Sequence, residues 1–302
     1  MRGPSRFSAL LALVVVALLA LAGTAPSSGA QQRTDTLLPG RGTSLATAPD
    51  QFVTDGDVRL RYREIGQGEP ILLLHGLTRN LEDWFRIGDA FARRYRVIAL
   101  DDRGHGESSK FSDPARYGNA MPEDVIHLLD HLGIRRAHLI GHSMGALIAL
   151  DVAVRHPDRV ASVAAIAPPA YADSATYAAH VAPYIEDLER GAGMTRFLMW
   201  LFPGMPDSTA AAGSADALTK ISPATLVAVE RSMGAMMIPA RADEPRVPVL
   251  IAVGSKDPLL PLGRALAARW PDARFMEIAG ADHGSVMASR EVWGAVREQI
   301  GH

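Results

Sequence analysis

The chain has 302 residues, with 31 Lys and Arg against 33 Asp and Glu, and no cysteine. That length can bury a core that needs no disulfide or metal, and the missing thiol excludes cysteine nucleophiles, iron–sulfur clusters and Cys-ligated zinc. A net charge of -2 argues against a protein that lives on phosphate backbones, so no nucleic-acid partner is expected.

The N-terminal 30 residues carry Arg2 and Arg6, then 14 uninterrupted apolar residues from Ala9 to Ala22. A bilayer span needs roughly 18–20 such residues, so the run suits the core of a signal peptide better than an anchor. Ser28 and Ala30 are the small residues that a cleavage site before Gln31 requires. Residues 1–30 thus read as a signal peptide and the protein as exported, periplasmic or extracellular, with no stable membrane span after cleavage. An uncleaved N-terminal anchor is the alternative. Residues 31–50, rich in Thr, Pro, Gly and Ser without an apolar period, read as a flexible leader.

From residue 51 the chain alternates strand and helix signals. Val58, Leu60 and Tyr62 alternate with Arg59, Arg61 and Arg63, the period of a half-buried strand, and Asp55-Gly56 ahead of it reads as a hairpin turn. Short apolar runs follow at Ile71–Leu74, Val97–Leu100, Ala137–Ile140, Val160–Ile166, Val249–Val253 and Phe275–Ile278. Runs of this kind fit strands buried on both faces of a parallel sheet. Helical stretches fall at Leu81–Arg93, Pro122–Leu132, Ala146–Arg155, Leu262–Arg269 and Arg290–Ile300. The expected fold is therefore α/β, a mostly parallel central sheet with helices on both faces. Residues 168–245 break the rhythm, with helical patches and no convincing strand. A structureless loop that long is improbable inside a domain, so they read as a helical insertion between core segments 51–167 and 246–302.

Gly141-His142-Ser143-Met144-Gly145 sits between the run Ala137–Ile140 and the helical stretch from Ala146. A G-x-S-x-G turn between strand and helix lifts its serine out of a sharp bend at the end of the sheet. A serine hydroxyl is a weak nucleophile and needs a base, which in turn needs an orienting carboxylate. Asp257 follows the run Val249–Val253, and His283 follows Phe275–Ile278, so both lie past strand C-termini, where α/β sites gather. Asp282 is a rival acid, hard to reach from the ring of its immediate neighbour. Backbone N–H groups of Leu77, after His75-Gly76, and of Met144 are the expected oxyanion donors. His105 and His142 read as supporting residues in tight turns, and His75 as shaping the oxyanion loop rather than transferring protons. His127 and His131 have metal-compatible i,i+4 spacing but no evident third ligand, so neither a metal nor a cofactor is expected.

These motifs, with Asp101-Asp102-Arg103-Gly104-His105-Gly106-Glu107-Ser108 matching D-x-R-G-x-G-x-S, make the chain resemble the α/β-hydrolase family over roughly residues 51–302. The resemblance implies that residues 168–245 are a cap over the active site and that the D-x-R-G-x-G-x-S loop is structural support. It also implies that Ser143 sets this chain apart from members with an aspartate nucleophile. The expected activity is hydrolysis of carboxylic esters of small to medium apolar substrates through an acyl-serine, an esterase- or lipase-like reaction. Phe197, Trp200, Met233 and Met236 could pack the cap or line an apolar pocket. Three alternatives stay open: a carbon–carbon bond hydrolase, a cofactor-free haloperoxidase-like enzyme, and a ligand-binding protein on a hydrolase scaffold. The natural substrate and the oligomeric state are not readable from the sequence.

Overall fold

Runs of β-branched and aliphatic residues bounded by turn residues become the eight strands of one sheet. They are β1 (Gln51–Asp55), β2 (Val58–Ile65), β3 (Glu69–Leu74), β4 (Tyr95–Leu100), β5 (Ala137–His142), β6 (Val160–Ile166), β7 (Val249–Gly254) and β8 (Arg274–Ile278). The computed structural model describes residues 44–237 and 239–301. The signal peptide expected at 1–30, and most of the expected leader, lie outside the described residues. Among the described residues no helix is long and apolar enough to cross a membrane.

Strand order is β1-β2-β4-β3-β5-β6-β7-β8. β2 pairs antiparallel with β1 and β4, and every later pairing is parallel. The chain leaves β3 toward β4 and then returns past it to β5. The loops after β3 and β5 therefore diverge and leave a crevice at the strand C-termini, the place where open α/β sheets hold their ligands.

The helices are α1 (Phe85–Phe91), α2 (Ala120–His131), α3 (Met144–Arg155), α4 (Ser174–Glu189), α5 (Thr195–Leu201), α6 (Asp207–Lys220), α7 (Pro223–Met233), α8 (Leu260–Arg269) and α9 (Arg290–Ile300). Successive strand residues alternate between two cores. Leu72, Leu74, Leu139 and Ile251 join the side chains of α2, α3 and α8. Ile71, Leu73, Ile140 and Leu250 join a second cluster holding Phe91 of α1 and Val292, Trp293 and Val296 of α9. Burial on both faces is why these strands read as continuous apolar runs.

Between β6 and β7 lie α4 to α7. Asp173 caps α4 by accepting from the Thr176 N–H at 2.8 Å. Ser222 caps α7 by accepting from the Thr225 N–H at 3.1 Å, with Pro223 in the first turn, as Ser-Pro at a helix start should do.

Three local expectations differ from the structure. Residues 44–50 are not free leader: Leu45 is fully buried, its N–H donates to Asp89, and the missing Cβ of Gly88 makes room for it, since a Cβ there would stand 2.2 Å from Leu45 Cδ1. Burying one leucine is worth about 2 kcal/mol. Arg61, expected on the solvent face of β2, is buried because its Nε donates to Asp101 Oδ2 at 2.7 Å. The helix expected over 81–93 is a 3-10 turn, Leu81–Trp84, followed by the short α1.

Candidate active site

The turn after β5 carries Ser143 at φ 53° and ψ -117°. A side-chain-bearing residue pays a steric penalty in that region and persists only where its surroundings enforce it. The neighbouring glycines show what enforces it. A Cβ on Gly141 would stand 2.2 Å from the Gly145 carbonyl oxygen, and one on Gly145 would stand 2.2 Å from that of Leu74. The Ser143 N–H donates to the Ile166 carbonyl, and the Gly145 N–H to that of His75. The elbow is thereby tied to β6 on one side and to the end of β3 on the other.

The second tie brings the loop after β3 against the serine. A Cβ on Gly76 would lie 3.4 Å from Ser143 Cβ, and Leu77, Ser143 and Met144 line one small pocket of about 40 Å³. No acceptor among the described residues takes the Leu77 or Met144 N–H. Thr78 holds the loop at φ 63°, an uncommon conformation for a β-branched residue. His75 shapes it further: its Nε2 accepts from the Asp102 N–H at 3.1 Å, leaving the proton on Nδ1 to donate to the Gly76 carbonyl at 2.8 Å. Burial holds His75 below its ordinary pKa and pushes the Asp102 carboxyl well up. Asp102 Oδ2 lies 3.6 Å from the ring, and the same burial disfavours the charged form of both groups.

Asp257 and His283 meet although 26 residues separate them. Asp257 Oδ2 lies 2.8 Å from His283 Nδ1, and its Oδ1 accepts from the Leu259 N–H at 2.9 Å. Both residues are 3% exposed. The loops after β7 and β8 touch because Gly254 lacks a Cβ, which would stand 2.3 Å from the Ala281 carbonyl oxygen. The Lys256 N–H also donates to that carbonyl. The rival Asp282 turns elsewhere, accepting from the Gly284 and Ser285 N–H groups and the Ser285 hydroxyl.

His142 is the link that sequence reasoning undervalued. Its Nε2–H donates to the His283 carbonyl at 2.9 Å, and the two rings lie 4.8 Å apart. Burial and the neighbouring His283 push its pKa down to about 3, so it stays a neutral strut between elbow and histidine loop. Phe202, from the end of α5, closes on His283 with ring centroids 6.1 Å apart. His127 and His131 lie away from this crevice on α2, His131 edge-on to Tyr62.

The D-x-R-G-x-G-x-S loop after β4 serves as a fastening. Asp101 accepts from Arg61 Nε and from the Leu81 and Glu107 N–H groups. Arg103 grips Asp124 of α2 with two 2.5 Å contacts, a bidentate geometry open to Arg and not to Lys. Burial and His75 depress His105 to about 3.

The inserted helices supply the other wall of the Ser143 pocket: Tyr177, His180 and Val181 from α4, Phe197, Trp200 and Leu201 from α5, and Glu230 and Met233 from α7. Nothing in the local sequence around Glu230 marks it out. Its 4% exposure arises from packing against Tyr177, 53 residues away, whose hydroxyl donates to it.

A match to the α/β hydrolase fold family spans residues 69–236. Over 122 residues the chain is 44% identical to a dihydrolipoyllysine-residue acetyltransferase component of the acetoin cleaving system of Pseudomonas putida, covering 40% of this chain and 32% of that protein. The chain thus spans about a third of the length of that relative. It is 28% identical over 257 residues to a 2-(acetamidomethylene)succinate hydrolase of Mesorhizobium japonicum, covering 78% of this chain and 90% of that one. Among solved structures it is similar to an enol-lactonase from Burkholderia xenovorans, with TM-score 0.68 and 23% identity over 83% of this chain and all of the other.

Proposed function

The chain belongs to the α/β hydrolase fold family, and from that premise we propose that it is an exported serine hydrolase that cleaves carboxylic esters of small to medium apolar substrates. The observation that carries this reading is the 2.8 Å contact of Asp257 Oδ2 with His283 Nδ1, in an imidazole fastened by His142 to the strained Ser143 turn.

With Asp257 on Nδ1, the free Nε2 of His283 is the base. It takes the Ser143 proton as Oγ attacks the ester carbonyl, and Asp257 stabilises the imidazolium formed. The carbonyl oxygen, now an anion, is met by the Leu77 and Met144 N–H groups. One such donor is worth about 3–4 kcal/mol in the transition state. The C–O bond to the alcohol breaks, and the His283 proton goes to the leaving oxygen. Water then gives its proton to His283 and attacks the acyl-serine, which releases the acid and restores Ser143.

Residues 168–245 act in this reading as the cap that shapes the substrate. The pocket wall is largely apolar and aromatic, which supports ester parts of modest size. Export rests on the apolar stretch from Ala9 to Ala22. The test is turnover of short p-nitrophenyl esters by the wild type and by Ser143→Ala. An active wild type and a variant that has lost nearly all turnover support the reading, and a variant that keeps most of it overturns the reading.

A further inference from the structure

The ester-hydrolase mechanism leaves a buried acid in the Ser143 pocket itself unused. Glu230 lines the same pocket as Ser143, and its only hydrogen-bond partner among the described residues is the neutral Tyr177 hydroxyl. Among the described residues no Lys or Arg lines that pocket. A charge buried without a counter-charge is costly, and the group responds by holding its proton. Burial accordingly lifts Glu230 to about 7, leaving it poised between the neutral and charged forms near physiological pH.

Aromatic rings line the same pocket as this carboxyl. Tyr171 stands 5.5 Å from Tyr177 and 5.1 Å from His180 between ring centroids, and His180 lies 4.4 Å from Trp200. Burial keeps His180 below its ordinary pKa, so it adds no positive charge. Tyr177 and Glu230 also form part of the wall of a larger outer cavity of about 1050 Å³, whose other charged side chains are Glu186, Glu189 and Arg231. Arg231 is already paired with Glu189 at 2.6 Å. Glu186 likewise lies 3.7 Å from Arg190, so it is the Ser143 pocket, lined by Glu230 and by no described Lys or Arg, that favours positive charge.

We propose that this pocket selects esters carrying a protonated amine, which the Glu230 carboxylate and the ring faces of Tyr171, Tyr177 and Trp200 hold while Ser143 attacks the carbonyl. The inference rests on the ester-hydrolase reading and adds the substrate class. An arriving ammonium supplies the counter-charge that Glu230 lacks, and electron-rich ring faces attract cations within about 6 Å. The same wall repels a carboxylate-bearing acyl group, so the substrate class here parts from that of the relative named for a succinate derivative.

The test compares kcat/KM for substrate sets matched in shape on the full-length protein at a pH above that of Glu230 ionisation. β-Alanine ethyl ester is set against ethyl butanoate and monoethyl succinate, and 2-(dimethylamino)ethyl acetate against 3-methylbutyl acetate. The first set places the cation in the acyl part, the second in the alcohol. The expected result is a preference of about tenfold or more for the cation over its neutral counterpart in at least one set, with monoethyl succinate the poorest of its three. Glu230→Gln brings that ratio close to one, and Glu230→Asp, which keeps the charge, retains a preference. Equal or faster turnover of the neutral esters in both sets by the wild type overturns the proposal, whatever the folding of the variants. So does a preference undiminished in a folded Glu230→Gln. If no ester is turned over and a fluorophosphonate leaves Ser143 unlabelled, the ester-hydrolase reading itself is overturned and this inference with it.

Discussion

The sheet with its flanking helices and the helical segment between β6 and β7 meet at one pocket, yet they are built by different rules. In the sheet, backbone contacts fix position. Glycines 141, 145 and 254 let strand ends and loops approach to distances that any Cβ would block, so the turns carrying Ser143, Asp257 and His283 are set chiefly by main chain. In the segment between β6 and β7, side chains do the work: Tyr171, Tyr177, His180, Phe197 and Trp200 pack ring against ring. The first kind of construction tolerates almost no change at the turns that carry Ser143, Asp257 and His283. The second can be remodelled one side chain at a time, which is what a selectivity wall needs.

That contrast can be broken by substitution. Ser143→Ala should lower kcat on short esters by roughly 10⁶-fold while leaving the thermal midpoint near that of the wild type. Asp257→Asn keeps the shape but leaves the His283 ring in the wrong tautomer, so a loss of roughly 10⁴-fold in kcat is expected from the same assay. A Trp200→Ala protein with losses of that size would mean that the inserted helices carry chemistry as well as selectivity.

Gly145→Ala tests the main-chain construction itself. Its Cβ would stand 2.2 Å from the Leu74 carbonyl oxygen and 2.6 Å from that of His75, neither of which can move without dragging β3. A loss of about 3 kcal/mol or more in urea unfolding is expected, the scale of overpacking against rigid backbone. A variant as stable as the wild type would show that the elbow is looser than its contacts imply.

Glu230 sharpens the comparison through pH. Its carboxyl titrates at about 7 in the folded protein against an ordinary 4.5. Between those values the folded state binds a proton that the unfolded state has lost, so this group makes stability fall as pH rises through that window. At about 1.4 kcal/mol per pH unit, the whole effect is about 3 kcal/mol. In Glu230→Gln the drop in unfolding free energy from about pH 5 to about pH 8 should shrink by that amount. Part of the slope persists, because burial also raises Asp102, Asp124 and Asp151. An unchanged slope would mean that Glu230 is not a buried acid.

The smallest effect is expected at Trp200. Removing the ring in Trp200→Ala should shift the preferred acyl length by about tenfold in relative kcat/KM, the worth of about one methylene in a pocket. The thermal midpoint should move by only a few degrees, because Trp200 is partly exposed.

How far the sequence revealed all this follows the same divide. The turn at Ser143 and the meeting of Asp257 with His283 were legible because strand, turn and helix signals are local, and the strand C-termini bring the following loops to one end of the sheet. Asp55-Gly56 announced the β1–β2 hairpin, and the structure forms it with Gly56 at φ 56°. Features created by distant contact were not legible. Arg61 reads as a solvent-facing strand residue until Asp101 buries it, and Leu45 reads as leader until it fills the space above Gly88. Glu230 reads as an ordinary helical glutamate because Tyr177 and the Ser143 pocket arrive from elsewhere in the chain. His142 looked like a turn residue, and only the fold places its ring beside His283.

Incubation with a fluorophosphonate followed by peptide mass spectrometry asks most directly whether Ser143 is the activated nucleophile. One adduct per chain, on the peptide holding Ser143 and lost in His283→Ala, is the outcome expected here. An unmodified Ser143 in folded protein, or an adduct confined to another residue, would contradict it.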